Sequence, residues 1–292
     1  MIPDWDWRAR FDAFAARKTR AAAAARLFPF VTIENIGDTR MQRVGSPWSL
    51  RLFDGPFYVA RTADRARPTC SLVFVQSADG NTGADDPASL GGGETDKHLV
   101  YEGLSRVAAD AVLAGARTVG AGDLVFSVWH PQMVALRASL GLSRHPTQIV
   151  LTNGRLDVDG MLIFNVPEIR VVLLTGPLVP PEVHEAIRVR PWIEHMEIPA
   201  GGGIPVAFER LRGIGITTIS CVGGRTTARQ LLADRLIDHV YLTTAPAPGG
   251  ESDTPIAPWP WRGTVILRKR GSGPEAGVVF EQIVPDVPIS AP

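Results

Sequence analysis

Residues 217–232 read TTISCVGGRTTARQLL. A mostly apolar or β-branched run predicts a strand, and the residues after Gly223 and Gly224 follow the apolar spacing of a helix. Glycines allow the backbone to approach a ligand, a helix start presents unpaired N–H groups, and Arg225, Thr226 and Thr227 add donors. Two interpretations remain open: a turn that binds phosphate, or a tight strand-to-helix turn with an ordinary threonine cap.

The sequence around this turn alternates short apolar runs with helical patterns. The runs predict strands at Cys70–Gln76, Ala111–Ala114, Gln148–Thr152, Arg170–Leu174, Ile193–Ile198, Thr217–Val222, His239–Thr243, Thr264–Arg268 and Val278–Gln282. Helical patterns lie at Asp96–Ala109, Pro181–Val189, Pro205–Gly213 and Thr226–Leu236. Strands that are apolar throughout and separated by helices predict a mostly parallel sheet covered on both faces, a three-layer α/β/α fold. The last two runs follow no helix and predict an antiparallel edge hairpin.

The first 66 residues differ in composition from the rest. An alanine-rich helical pattern covers residues 6–27, with Phe11 and Phe14 at helical spacing. Short strand-like runs follow at 31–33 and 57–59, with turn residues between them. We therefore divide the chain into an N-terminal extension, 1–66, with a helix and an irregular or strand segment, and a main domain, 67–292.

Composition limits the classes of function. The 292 residues are 45% hydrophobic and 21% charged, which is enough apolar material for a sizeable core. Thirty basic residues balance 30 acidic ones, so the charge disfavours a nucleic-acid or anionic-membrane binder. Cys70 and Cys221 are the only cysteines and the six histidines are scattered, so we expect neither a disulfide framework nor a metal site. With no long apolar segment or secretory signal, we expect a cytoplasmic protein without a membrane partner.

Several well-known catalytic motifs are missing from the sequence. There is no G-x-G-x-x-G after a strand, no phosphate-binding G-x-x-x-x-G-K-[ST] and no G-x-S-x-G. Zinc deaminase ligands of the H-x-E and C-x-x-C type are also missing. These absences disfavour the usual dinucleotide fold, nucleoside triphosphatases, α/β-hydrolases and deaminases.

Two further segments carry polar groups at predicted strand ends. Ser77, Asp79 and Gly80 follow the first strand of the main domain, where Asp79–Gly80 by itself would only signal a turn. Residues 106–119 begin with Arg106 and lead through a short strand to Thr118, at the carboxyl edge of the sheet. The competing interpretation is again a turn and, for Arg106, a solvated helix face.

Taken in order, these motifs resemble the reductase domain of the riboflavin-biosynthesis deaminase/reductase family. The shared elements are Ser-x-Asp-Gly at 77–80, Arg-x-x-x-Asp-Ala at 106–111 with Gly-x-x-Thr-Val at 115–119, the strand at 146–151, the Gly-Gly turn, and Ala-Pro-x-x-Gly-Gly at 245–250. The resemblance covers about residues 68–282. It implies a dihydrofolate-reductase-like fold, NADPH as cofactor, a homodimer, and reduction of the ribose of a phosphoribosylamino-pyrimidine to a ribityl chain.

The resemblance also implies roles for individual residues. Those that would hold the cofactor are Thr118, Asn153, Gly223, Gly224, Arg225, Thr226 and Thr227. Arg106 matches an arginine that binds the substrate phosphate, and Ser77 would line the substrate cleft. Asp79 is the expected catalytic residue, for proton handling or a substrate hydrogen bond. Arg225 and Arg117 both remain open as partners of a 2′-phosphate.

Two positions depart from the family pattern. Trp129 stands where the family has a second substrate arginine, and Val222 stands where it has a substrate-binding glutamate. The cofactor half of the motif set is therefore kept while the substrate half is changed. We expect an NADPH-dependent reductase of the pyrimidine-reductase type and leave its substrate open because of these positions. The competing hypothesis is a non-catalytic nucleotide-binding or regulatory protein that keeps the fold.

Overall fold

The computed structural model describes residues 6–37, 41–60, 66–82, 90–120, 122–154, 156–199, 203–256 and 263–285. A 10-stranded sheet in the order β1-β11-β12-β10-β4-β9-β5-β6-β7-β8 forms its centre, and β2 and β3 form a separate two-stranded sheet. The strands are β1 (Val31–Asn35), β2 (Met41–Val44), β3 (Phe57–Ala60), β4 (Thr69–Gln76), β5 (Ala111–Gly115), β6 (Thr147–Thr152), β7 (Val171–Thr175), β8 (Ile193–Glu197), β9 (Thr218–Cys221), β10 (His239–Thr244), β11 (Gly263–Arg270) and β12 (Val279–Pro285).

The sheet is parallel from β10 through β4, β9, β5, β6 and β7 to β8. On the other side, β12 is antiparallel to β10, and β11 is antiparallel to β12. The predicted strands and the antiparallel hairpin are thus confirmed. Beyond the hairpin, β1 adds one more antiparallel strand by pairing with β11.

Helices cover both faces of this sheet. They are α1 (Trp7–Ala24), α2 (Pro47–Phe53), α3 (Gly93–Thr95), α4 (Ser105–Val107), α5 (Ala116–Val119), α6 (Pro131–Ser139), α7 (Pro181–Arg188), α8 (Gly203–Gly213) and α9 (Arg225–Ala233). A π-helix, Asp96–Leu104, joins α3 to α4, so the predicted helix is present but wider in its middle. None of the described helices has both the length and the apolar character needed to cross a bilayer.

Two apolar clusters lie on opposite faces of the sheet. One collects side chains of α1, the π-helix, α6 and α7, and the other collects side chains of α8 and α9. Within β4, Val73 belongs to the first cluster and Leu72 to the second, as the alternation of side chains along a strand requires. The predicted three-layer architecture is therefore confirmed.

Helix α1 packs against α6 and against the loop that carries Trp129. Asp6 caps its start by accepting a hydrogen bond from Ala9 N at 2.8 Å. On its buried side, the Phe14 ring meets the Trp129 ring edge to face, with centroids 5.4 Å apart. Arg10 adds a salt bridge to Asp123 at 2.5 Å. Trp129, where the resemblance leads one to expect arginine, thus forms part of the packing surface for the N-terminal helix.

Candidate active site at the carboxyl edge of the sheet

The turn after β9 depends on glycine. Gly223 has φ +93°, and a Cβ at this position would lie 2.9 Å from the Phe74 ring. Gly115 N, at the end of β5, donates a hydrogen bond to Gly223 O at 3.0 Å. The conformation and the close packing both require a residue without a side chain.

We expect Gly223→Ala to destabilise the fold by about 1–3 kcal/mol, because an L-residue is strained at this φ and its methyl group displaces the Phe74 ring. Urea denaturation measures the change. Gly213→Ala is the matched control, since a Cβ there meets no atom within 4 Å and φ is not positive. Equal stability of the two variants would contradict this account of the turn.

The start of α9 gathers several of the predicted cofactor residues. Gly224 N donates to Thr118 Oγ1 at 3.0 Å. A Cβ at Gly115 would lie 2.5 Å from Thr227 Oγ1, so Thr227 lies directly against the end of β5. Among the described residues no side chain caps α9, so the ordinary threonine cap is not formed. The first N–H groups of this helix are thereby left for a ligand.

Arg225 and Thr226 lie at the open side of the same helix start. Thr226 is exposed. Arg225 Nη2 lies 2.9 Å from Glu251 Oε2, and their side chains are 36% and 62% exposed, so water weakens this pair. Arg117, on the short helix α5, is exposed as well. Both arginines considered for a 2′-phosphate are therefore accessible.

The loop after β4 is fixed by the distant segment 245–251. Ala78 N donates to Ala247 O at 3.0 Å. Ser77 Oγ is buried within hydrogen-bond distance of the Asp79 carboxylate, of Asn81 O at 3.1 Å and of Gly249 O at 3.0 Å. The two motifs are far apart in sequence and form one structural unit. Ser77, expected to line the substrate cleft, has its hydroxyl engaged inside this unit.

Asp79 projects from this loop as an exposed carboxylate. Asn81 Nδ2 donates to Asp79 Oδ2 at 3.1 Å. The hydrogen bond with Ser77 is the main reason that the pKa of Asp79 lies below its ordinary value. The side chain is therefore ionised at neutral pH, where it accepts hydrogen bonds and does not donate a proton.

Asn153 follows the end of β6 at the same edge of the sheet. It is exposed, and its Oδ1 accepts a hydrogen bond from Leu178 N at 3.3 Å. Gly176, after β7, lies so close that a Cβ there would be 2.1 Å from Asn153 Oδ1. Because β5 lies between β6 and β9, Asn153 and the Gly223 turn lie on opposite sides of β5 at this edge.

Arg106 is not brought to this edge. It is buried, with its guanidinium over the Tyr101 ring at 4.4 Å and Nη1 donating to Ser127 O at 3.0 Å. The backbone N–H of the neighbouring Phe126 donates a hydrogen bond to Gln148 Oε1, near the amino end of β6. Arg106 therefore lies toward the amino end of the parallel strands. Nε and Nη2 have no hydrogen-bond partner among the described residues. The solvated helix face considered for Arg106 is therefore wrong.

Asp96 is a buried acid that sequence analysis does not single out. Its Oδ1 is hydrogen-bonded to Thr243 Oγ1, near the end of β10, and a Cβ at Gly92 would lie 2.9 Å from its Oδ2. Strand β4 lies between β9, which leads into the Gly223 turn, and β10, which carries Thr243. Asp96 and the Gly223 turn therefore lie on opposite sides of β4. Burial raises the pKa of Asp96 to about 7; the Thr243 hydrogen bond opposes the shift and the Glu275 charge adds to it.

The two positions that depart from the family pattern are both apolar and buried. Val222 is 7% exposed and belongs to the cluster that contains Val73. Trp129 is 1% exposed, against Phe14 of α1. On the face of the sheet that carries Asp96, Val222 and Trp129 therefore contribute apolar side chains where the family pattern has a glutamate and an arginine.

Comparisons with known proteins match most of the chain to one family. The family model of the RibD C-terminal domain matches residues 68–262, most of the chain. The sequence is 26% identical over 191 residues to the 2,5-diamino-6-ribosylamino-4(3H)-pyrimidinone 5′-phosphate reductase of Methanothermobacter thermautotrophicus. That match covers 64% of this chain and 82% of the relative.

Solved structures share the fold. A pyrimidine reductase-like protein from Corynebacterium diphtheriae superposes with a TM-score of 0.59 at 21% identity, covering 74% of this chain and 91% of that one. RibD from Acinetobacter baumannii gives a TM-score of 0.55 at 19% identity, covering 76% of this chain and 59% of that one. Sequence motifs, sheet topology and the matched range agree, and the chain belongs to the RibD C-terminal domain family.

Proposed function

We propose that this protein is an NADPH-dependent reductase of a phosphorylated ribosylamino-pyrimidine, the substrate class named for its archaeal relative. The observation that carries the proposal is the uncapped start of α9. There Gly223, Gly224, Thr118 and Thr227 form a narrow cradle at the carboxyl edge of the sheet. The cradle has the donors and the backbone access that a dinucleotide pyrophosphate requires.

The residues present fit a nicotinamide dinucleotide. Free N–H groups at a helix start, threonine hydroxyls and an accessible arginine are the donor types that bind phosphate. The close packing of Gly223 on Phe74 and of Gly115 on Thr227 fixes the position of these donors. When bound, NADPH supplies the hydride. In this proposal Thr118, Thr227 and the first turn of α9 hold the pyrophosphate, Thr226 borders it, and Asn153 contacts the nucleoside on the other side of β5.

Arg225 is the residue that we propose for the 2′-phosphate, because it lies in the first turn of α9 and Glu251 already orients its guanidinium. We expect Arg225→Ala to weaken NADPH binding about 10- to 100-fold, since hydrogen bonds to charged groups contribute ~1.5–3 kcal/mol each. NADH binding should change little. Fluorescence titrations with both cofactors measure the two affinities.

Two companion variants check the assignment. Glu251→Gln releases Arg225 from its surface ion pair, which is worth about 0.2–1 kcal/mol, and should tighten NADPH binding a few-fold at most. Arg117→Ala is the matched control, and its NADPH affinity should equal that of the parent protein. If Arg117→Ala loses affinity and Arg225→Ala does not, the 2′-phosphate belongs to Arg117.

Two acids on the substrate side of the proposed site have different roles. The ionised Asp79 accepts hydrogen bonds from substrate hydroxyl or amino groups at the mouth of the cleft. Asp96, whose pKa lies at about 7, exchanges a proton at Oδ2 near neutral pH. A carboxyl group with a pKa near the working pH is suited to general acid catalysis. Arg106, expected to bind the substrate phosphate, is buried against Ser127 and Tyr101 and is not part of the proposed site. Ser77 holds the loop that carries Asp79.

A second function remains a candidate because of Val222 and Trp129. Loss of a carboxylate and an arginine from the substrate side favours either another substrate or a non-catalytic nucleotide-binding protein. Anaerobic assays of NADPH oxidation distinguish these functions, with 5-amino-6-(5-phosphoribosylamino)uracil and its 2,5-diamino-pyrimidinone counterpart as substrates. Turnover of either supports the reductase, whereas cofactor binding without turnover favours the second function.

A homodimer belongs to the same proposal. Strand β1 forms one end of the sheet and carries exposed apolar residues, with Val31 46% and Ile33 55% exposed. Exposed apolar side chains on a strand at the end of a sheet are a surface suited to contact with a second copy. Sedimentation equilibrium of the full chain tests this part of the proposal.

A further inference from the structure

Two of the scattered histidines meet at the sheet end opposite β1. His184 lies on α7, and His195 and Glu197 lie on the terminal strand β8. Each side chain offers one ligand atom, and these atoms lie within 4.8 Å of one another. In the part of the chain that the structure describes, no other set of three histidine, cysteine or acidic side chains comes as close.

The local fold explains why these three side chains converge. His195 and Glu197 are two residues apart on β8 and therefore point to the same face of the sheet. That face is covered by α7, which buries Val183 and Ile187 against it. His184 follows Val183, and its ring lies edge to face with that of His195, with centroids 5.0 Å apart. Sequence spacing gives no sign of this cluster because its members come from two elements.

The protein also holds His195 in place. The buried Thr175 hydroxyl, at the end of β7, lies 2.8 Å from His195 Nε2. One ring nitrogen of His195 is thus held by the protein, and the other is left for a ligand. Metal-binding histidines usually have their second nitrogen held in this way, which fixes the orientation of the ring.

The charges of the cluster suit a cation. Histidine binds metals through a neutral imidazole, and the cluster offers two such rings. Glu197 contributes one negative charge. Two imidazoles and one carboxylate suit zinc and neighbouring transition metals, whereas magnesium and calcium prefer oxygen ligands only.

We propose that His184, His195 and Glu197 bind one divalent transition-metal ion, with water completing its coordination. The ion joins α7 to the terminal strand β8, and Thr175 positions His195. This site lies two strands beyond Asn153 and is independent of the proposed reductase function.

Isothermal titration of the full chain without a polyhistidine tag, using Zn²⁺ alone, tests the proposal. We expect one equivalent of Zn²⁺ to bind with micromolar or tighter affinity and to raise the thermal midpoint. His184→Ala and Glu197→Gln should each weaken binding at least tenfold, and Thr175→Val about tenfold, as for other residues that orient a ligand. Glu185→Gln, an exposed acid on the same helix, is the control and should bind as the parent does.

Two further readouts make the result decisive. Co²⁺ in place of Zn²⁺ should give visible absorption bands that disappear in His184→Ala, and Mg²⁺ should give no saturable heat. Circular dichroism shows whether each variant folds, and all three side chains lie near the surface. Absence of saturable Zn²⁺ binding would overturn the proposal, as would binding that stays unchanged in both His184→Ala and Glu197→Gln.

Discussion

Replacing Asp96 by asparagine should lower kcat by about 10²- to 10⁴-fold, the usual contribution of a general acid, while NADPH affinity stays near that of the parent. Asparagine keeps the shape of the side chain and its hydrogen bond to Thr243 but has no acidic proton. Steady-state kinetics with the phosphorylated ribosylamino-pyrimidine substrate measure kcat, and fluorescence titration measures the cofactor affinity. An Asp96→Asn enzyme with kcat close to that of the parent would contradict the role of Asp96.

The pH profile gives an independent check on Asp96. Its folded-state pKa is raised to about 7, so the proton-donating form is complete below that pH and is lost above it. We expect kcat to fall as pH rises through about 7 and the fall to disappear in Asp96→Asn. Because the Glu275 charge raises the pKa of Asp96, Glu275→Gln should move the falling limb to lower pH. A limb unmoved in Glu275→Gln would assign the titration to another group.

Replacing Phe14 by alanine should destabilise the whole fold by about 3–5 kcal/mol, the usual cost of removing a buried aromatic side chain. Phe14 is 2% exposed and belongs to the cluster that includes Trp129 and the face of the central sheet. Urea denaturation followed by tryptophan fluorescence measures the free energy of unfolding. Arg20→Ala, at an exposed position of the same helix, is the control and should change stability by no more than about 0.5 kcal/mol.

The Phe14 result also tests how the segment 1–66 relates to the rest. We propose that α1 and the main domain unfold together, because one apolar cluster contains side chains from both. A single transition shifted by Phe14→Ala is the expected result. Two separate transitions, with only the weaker one affected, would show that the N-terminal segment folds on its own.

Local sequence patterns predict most of the architecture. The strands of the sheet are short apolar runs bounded by turn residues. Two consecutive glycines between an apolar run and a helical pattern indicate the tight turn at Gly223–Gly224. The pairing of β1 with β11 joins residues more than 200 positions apart, and the sequence of neither strand indicates which strand it pairs with. Helix α6 escapes prediction because it has only nine residues and its apolar residues are not confined to one face of the helix.

The candidate site is predictable in part for the same reason. Thr118, Asn153, Gly223, Gly224 and Thr227 all follow or adjoin strand ends, and parallel strands bring their carboxyl ends to one edge. Asp96 escapes notice because its pKa depends on burial and on Thr243, which lies 147 residues away in sequence. Arg106 has the family's residue type, but its burial beside Ser127 depends on tertiary packing.

We propose that NADPH binds at the carboxyl edge of β9, β5 and β6. A fluorescence titration of the purified chain with NADPH, repeated with NADH, tests it most directly. We expect micromolar saturation with NADPH and weaker binding of NADH, with the preference lost in Arg225→Ala. No saturable binding of either cofactor would contradict it and would leave the Gly223–Gly224 turn as a purely structural feature.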